Sequence, residues 1–514
     1  MTDGFDAVEL EILRTQLESV AEEMGTVLVR GAYSPNITER RDCSTALFDS
    51  EGRMVAQAEH IPVHLGAMPE AVAAVLDRDP RPGDVFLLND PFRGGTHLPD
   101  VTLVSPLTDD GEIVAYAVSR AHDADIGGAT PGSMQAGADE IHAEGVRIPP
   151  VRYVAGGERN DAVERLLLAN VRDPAQRRAD LRAQRGANER AGERLRELLT
   201  DHGDRLLTAF DAVIDYARER VAAELRAIPD GTYHASDVME GDGDTDRDIP
   251  IRVAVTVDGP TMTVDFEGTA PQVPGNVNAP LSVAKSAVYF VLRCVTDPGI
   301  PPNHGCYDPV TVRAPTGSLL NPRPPAAVVG GNVETSQRVA DVVFAALSGA
   351  APERVPAGGQ GTMNNLVVGS SEFVYYETVG GGAGATARSD GHSGVQVGMT
   401  NTLNTPVEAL EMAYPLRVEQ YALRRGSGGR GHTDGGDGLV RSVTVEQPAT
   451  VSLLTERRRH APRGVSGGGD GAPGRNLVDG EPVPAKVTLD VDAGTTVTVE
   501  TPGGGGYGDP DESG

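Results

Sequence analysis

Apolar and polar positions along the chain change period several times. Residues 7–30, AVELEILRTQLESVAEEMGTVLVR, space their apolar side chains three and four apart, which predicts an amphipathic helix. From about 45 to 125 the pattern shortens to strand-length runs: TALFD, MVAQA, DVFLLND, VTLVSP and IVAYAVSRA. Between 158 and 228 it becomes helical again, with Arg and Glu alternating at helical spacing along a solvated face. Strands return at 230 in IRVAVTVDG and TMTVDFEGTA, followed by one apolar helix near SVAKSAVYFVLRCV.

The last third separates short strands such as SVTVEQ and ATVSLLTE with glycine runs: GGGAGA, GSGGRGHTDGGDG and TPGGGGYGDP. No fixed-period repeat is present, which excludes a solenoid. The expectation is a multidomain α+β chain with mixed sheets. Its divisions are an N-terminal α+β region over 1–157, a helical subdomain over 158–228, and a mixed, glycine-rich and β-rich region over 229–514.

Charge narrows the partners. The chain has 45 basic and 74 acidic residues, a net charge of −29, and its only lysines are Lys285 and Lys486. Such a surface repels phosphate backbones and anionic lipid, so neither nucleic acid nor a membrane is expected as a partner. Acidity with so little lysine suggests a halophilic protein, whose self-repulsion is screened by salt. No apolar run nears the roughly 18 residues of a membrane span, and the start MTDGFDAVEL is acidic where a signal peptide is basic. A soluble, cytoplasmic protein is expected. Cys43, Cys294 and Cys306 are odd in number and widely spaced, which excludes a disulfide framework or a zinc finger.

The glycine runs invite a nucleotide reading that their neighbours refuse. A phosphate-binding loop of the Walker type needs Lys then Ser or Thr after the glycines, yet Lys285-Ser286 follows NAPLSVA. Turns and close backbone packing account better for these glycines.

The chemistry gathers at NDPFRGGTHLPDV, residues 89–101. VTLVSPL, TDDGE and IVAYAVSRAHDAD read as a β-hairpin with Asp110-Gly111 at its turn. With that turn, facing residues sum to about 221, so Asp100 faces Ala121 and His122 faces Pro99. His97, Asp100 and His122 then meet at the open end of one hairpin, with Asp123 and Asp125 just beyond. Two imidazoles among carboxylates suit a divalent metal such as Mn²⁺, Zn²⁺ or Fe²⁺. Asp42 in NITERRDCS is a further candidate whose proximity local register does not give. His60 and His64, in AEHIPVHLGAMP, are secondary candidates for the pocket lining.

Several of these stretches match known proteins. NITERRDCSTALFD, HIPVHLGAMP, LLNDPFRGGTHLPDVTLVSP, AHDADIGGATPGSM, NPRPPAAVVGGNVETSQRVADVVFAAL, NTPVEALEMAYPL and TPGGGGYGDP resemble the hydantoinase B, or oxoprolinase-type, family. The likeness runs over nearly the whole chain. It implies a hetero-oligomer with a hydantoinase A-type ATPase subunit, through which ATP would act. It also implies a metal held by Asp42, His97, Asp100 and His122. The implied reaction is ATP-dependent opening of a cyclic amide, such as a hydantoin, 5-oxoproline or a related lactam. The alternative is ATP-dependent carboxylation of a ketone. Asp125 or Asp123 would serve as the nearby catalytic base. Many members read AHHADIGG where this chain has AHDADIGG, so Asp123 replaces a histidine.

Overall fold

The computed structural model describes residues 4–511. Four sheets and a set of long helices make up an α+β architecture among these residues. The N-terminal helix Ala7–Gly31 forms as its periodicity predicts, capped by the Asp6 carboxylate, which accepts from the N–H groups of Val8 and Glu9. Leu13, Leu17, Val20, Met24 and Leu28 make its buried stripe.

The largest sheet has seven strands. They are β1 (Cys43–Asp49), β2 (Met54–Glu59), β3 (Val85–Leu88), β4 (Asp100–Asp109), β5 (Glu112–His122), β6 (Val151–Ala155) and β7 (Glu158–Arg159), in the order β2-β1-β5-β4-β3-β6-β7. Alternation along β1 and β5 feeds two different cores, so the middle of the sheet is buried on both faces. Phe48, Val104, Tyr116 and Val118 join the main core of the molecule. Leu47, Ala115, Ala117 and Ala121 face the N-terminal helix and the helices Pro174–His202 and Arg205–Arg226. The helical stretch thus shares one apolar core with this sheet.

The hairpin forms where expected, with one correction. Asp110 (φ 46°) and Gly111 (φ 86°) both take positive φ, as a two-residue I′ turn requires. Near the turn, Thr108 faces Ile113 and the sum is 221. Between Leu107 and Thr108 a β-bulge inserts Val114 as an extra residue, and beyond it the sum becomes 222. Asp100 therefore faces His122 rather than Ala121, as it would have without the bulge.

A second sheet orders the strands Val310–Arg313, Thr261–Asp265, Asp248–Asp258 and Gly231–Glu240, with the helix Ser336–Leu347 packed against it. The remaining two sheets pack face to face. Leu366, Val368, Val451 and Leu453 of one meet Leu416, Val443, Val497 and Val499 of the other.

Candidate metal centre

The face of the large sheet that carries Phe48, Val104 and Val118 turns polar toward one end. The first polar row is Ser44, Thr102 and Arg120, facing one another across β1, β5 and β4. The next holds Asp100 opposite His122. Asp42 precedes β1, and its carbonyl accepts the N–H of His122 at 3.0 Å. Strand pairing alone therefore brings Asp42, Asp100 and His122 to one edge.

His97 arrives through the loop that precedes β4. The Asn89 amide holds the loop closed, donating to the carbonyls of Leu98 (2.8 Å) and Val146 (2.9 Å) and accepting from the N–H of Ile148 (2.7 Å). Gly95 packs so tightly that a Cβ there would lie 2.3 Å from the Asn89 carbonyl oxygen. This folding turns His97 back over Asp100.

His97 Nε2 lies 3.1 Å from Asp100 Oδ1, and His122 Nδ1 lies 3.3 Å from the same oxygen. Asp42 Oδ2 is 4.0 Å from His122 Nδ1. The two imidazole rings are 5.1 Å apart between centroids. One ligand atom each from His97, Asp100 and His122 lie within 4.8 Å of one another. Tetrahedral ligands at about 2.0–2.1 Å from a metal would be separated by roughly 3.3 Å, close to the two shorter distances.

All four side chains are buried, and within this group both ring nitrogens of His97 and Asp100 Oδ1 have no hydrogen-bond partner. Buried polar atoms are rarely left so, and here they point at one another's neighbourhood. A divalent cation would satisfy His97 Nε2 and Asp100 Oδ1 together. These residues fit such an ion.

The surroundings hold the ligands in place. Thr96 Oγ1 donates to Asp100 Oδ2 at 2.6 Å, and Asn332 Nδ2 reaches the same oxygen at 3.4 Å. His64 Nε2 is 3.4 Å from Asp100 Oδ2, while its Nδ1 is 3.0 Å from Ser44 Oγ. Burial pushes the Asp100 carboxyl upward, but the charges of His97 and His64 and contact with His122 outweigh it and hold it well below the usual range. Tyr376 stacks on His122 with centroids 4.7 Å apart. Arg120 lies beneath, fully buried, with Nε donating to Thr102 Oγ1 at 2.8 Å; burial lowers its pKa to about 10. Beside Asp42, Asp100 and His122 is a cavity of about 10 Å³, also lined by Asn332, Tyr376 and Thr378. It has room for one water.

Asp123 and Asp125 are placed differently. Asp123 is buried against Arg177, which also pairs with Asp180 at 2.8 Å. Asp125 accepts from the N–H groups of Gly127, Gly132 and Arg172 and from Arg172 Nη1 at 2.7 Å. Four donors hold the Asp125 carboxylate at the start of the loop that follows β5. Of the secondary histidines, His64 reaches Asp100, whereas the His60 ring lies against Gly25 of the N-terminal helix. Asn332 and Tyr376 were not anticipated. Nothing local marks either one, since both reach the site from more than 200 residues away.

The family described as Hydantoinase B/oxoprolinase matches residues 6–510, and the chain belongs to it. It is 40% identical to 5-oxoprolinase 1 of Arabidopsis thaliana over 98% of its own length, but spans only 42% of that protein. Among solved structures, the ATP-dependent caprolactamase of Pseudomonas jessenii superposes with a TM-score of 0.92 at 33% identity, covering 99% of this chain and 92% of that one. Acetone carboxylase, solved without nucleotide, shares the fold with a TM-score of 0.87 at 20% identity, over 98% of this chain and 75% of that one.

Proposed function

We propose that this chain is the metal-binding B-type subunit of an ATP-dependent cyclic amidohydrolase. The observation that carries the reading is the convergence of His97, Asp100 and His122, with buried atoms that lack partners in the protein. Asp42, His97, Asp100 and His122 would hold the ion, which when bound would polarise an amide carbonyl or lower the pKa of a coordinated water. Amide resonance resists ring opening, so coupling to ATP suits a hydantoin, 5-oxoproline or related lactam.

The protein's own residues supply the setting. Asp100 presents Oδ1 to both imidazoles while Thr96 and Asn332 bind its other oxygen, fixing the carboxylate's orientation. Tyr376 limits rotation of the His122 ring by stacking on it. Burial of all four side chains keeps bulk solvent from the centre.

ATP would be handled by a hydantoinase A-type partner. The chain has no Walker-type loop, and its net charge of −29 disfavours a polyanion. A ketone carboxylase subunit is the second reading, favoured by the acetone carboxylase fold match alone.

The test is co-expression with a hydantoinase A-type ATPase subunit and measurement of ATP turnover with hydantoins, 5-oxoproline, lactams and ketones. Lactam-stimulated turnover that disappears in His97→Ala supports the proposal. Turnover with ketone and bicarbonate only would transfer the chain to the carboxylase reading. Calorimetric titration of magnesium ATP into this chain alone should give no signal; micromolar binding would overturn the division of labour.

A further inference from the structure

A second cavity lies where the middle sheet meets the glycine-rich part. It holds about 570 Å³, within the range of small-molecule sites. Phe290 and Phe344, edge to face at 6.1 Å, line one wall with Val355 and Val397. Its polar end is built from two carboxylates and two arginines. Arg457 Nη2 donates to Asp341 Oδ2 at 2.6 Å and to Asp237 Oδ2 at 2.9 Å. Arg338 Nη1 reaches the same two oxygens at 3.2 and 3.3 Å.

The arginines are sunk more deeply than the carboxylates. The Arg338 and Arg457 side chains are 0% and 3% exposed, against 10% for Asp237 and 19% for Asp341. Arg457 sits at a φ of 57°, a backbone conformation that side chains rarely adopt. Gly361 faces it, and a Cβ there would fall 2.7 Å from Arg457 Nε and 2.9 Å from Asp341 Oδ2. Backbone strain and a bare glycine are therefore both spent on seating a guanidinium beneath this pair.

Asp341 Oδ1 has no hydrogen-bond partner among the described residues, although Asp341 lines the cavity. Arg463 lines it too, exposed and without an ion pair among the described residues. Burial pushes the Asp341 carboxyl up to about 7, while the charges of Arg338 and Arg463 oppose that rise. An acceptor oxygen, a spare guanidinium and an aromatic wall thus surround one space.

We propose that this cavity binds an amphipathic amino acid, its ammonium on Asp341, its carboxylate on Arg463 and its apolar side chain against the wall formed by Phe290 and Phe344. The site is separate from the metal centre and does not depend on the proposed reaction. One element links them, because the turn carrying Asn332 runs directly into the helix Ser336–Leu347 that carries Asp341 and Phe344.

Calorimetry on the full chain with three probes tests the assignment: L-phenylalanine, phenethylamine and 3-phenylpropionate. Phenylalanine should bind saturably and about tenfold or more tighter than either single-headed probe. Arg463→Ala, at an exposed position, should reduce phenylalanine to the affinity of phenethylamine. Asp341→Asn should abolish binding of both amines, with an unchanged melting profile confirming its fold. Absence of saturable phenylalanine binding, or binding that Arg463→Ala leaves unchanged, would overturn the proposal. As an independent readout, phenylalanine should slow alkylation of Cys294, the exposed cysteine on the cavity wall; unaltered alkylation at saturating ligand would count against it.

Discussion

The His97–Asp100–His122 end of the large sheet and the glycine-rich loops near the C-terminus solve opposite packing problems. In the first, side chains do the work: regular pairing of β4 and β5 sets Asp100 against His122, and Thr96 and Asn332 bind the Asp100 oxygen that faces away from both imidazoles. In the second, side chains are removed so that backbones can touch. The N–H of Gly504 donates to the Gly436 carbonyl, that of Gly505 to Gly358, and that of Gly506 to Gly469. A Cβ on Gly504 would fall 1.9 Å from the Ala383 oxygen, and one on Gly382 would fall 2.2 Å from the Gly504 nitrogen. Position along a strand specifies the first region, whereas the absence of volume specifies the second.

The largest expected effect comes from adding volume to the second region. Gly504→Ala places a methyl against rigid backbone on more than one side, so destabilisation of about 3 kcal/mol or more is expected. A thermal melt within a few degrees of the parent would show that the glycine packing is loose and end the comparison.

Changes at the first region should act on metal before fold. His97→Ala or His122→Ala should bring metal content, measured by elemental analysis, to background while circular dichroism keeps the parent spectrum. Thr96→Val, which removes only the bond to Asp100 Oδ2, should weaken metal affinity by about 10–100-fold. Full metal content in His122→Ala would mean that the sheet end does not depend on its side chains as argued.

A smaller effect should come from Glu144, which accepts the N–H groups of Val328 and Val329 while its Oε2 has no partner. Burial pushes its pKa up to about 8. Between the unfolded value of about 4.3 and that folded value, the native state binds more protons than the unfolded one. Its contribution to stability is therefore full at acid pH and falls as pH rises toward 8. Glu144→Gln should flatten the profile of melting temperature against pH between 5 and 8; an unchanged slope would remove the assignment.

Salt should act least selectively. With a net charge of −29, melting temperature should rise as potassium chloride goes from low to molar concentration, in both regions alike. A flat or falling profile would count against the halophilic reading.

Legibility in the sequence follows the same division. The helices at Ala7–Gly31 and Pro174–His202, the strands β1 to β5 and the turn at Asp110-Gly111 are written in local periodicity and turn chemistry. The convergence of His97, Asp100 and His122 was therefore derivable to within one residue. That residue was the bulge at Val114, which no local pattern announces. Asn332 and Tyr376 were illegible because tertiary packing alone delivers them. Asp125 was legible as a polar residue near the site, but not as a carboxylate already committed to Arg172.

The wall of the small cavity has a consequence for the order of events in synthesis. Asp42, His97, Asp100 and His122 all emerge early, whereas Asn332, Thr378 and Tyr376, which close the space beside them, are made more than 200 residues later. An ion can reach its ligands freely only before that closure, or when the later segments lift away afterwards. Once enclosed, it would exchange slowly, and chelators would remove it at the rate of local opening rather than at the rate of ligand dissociation.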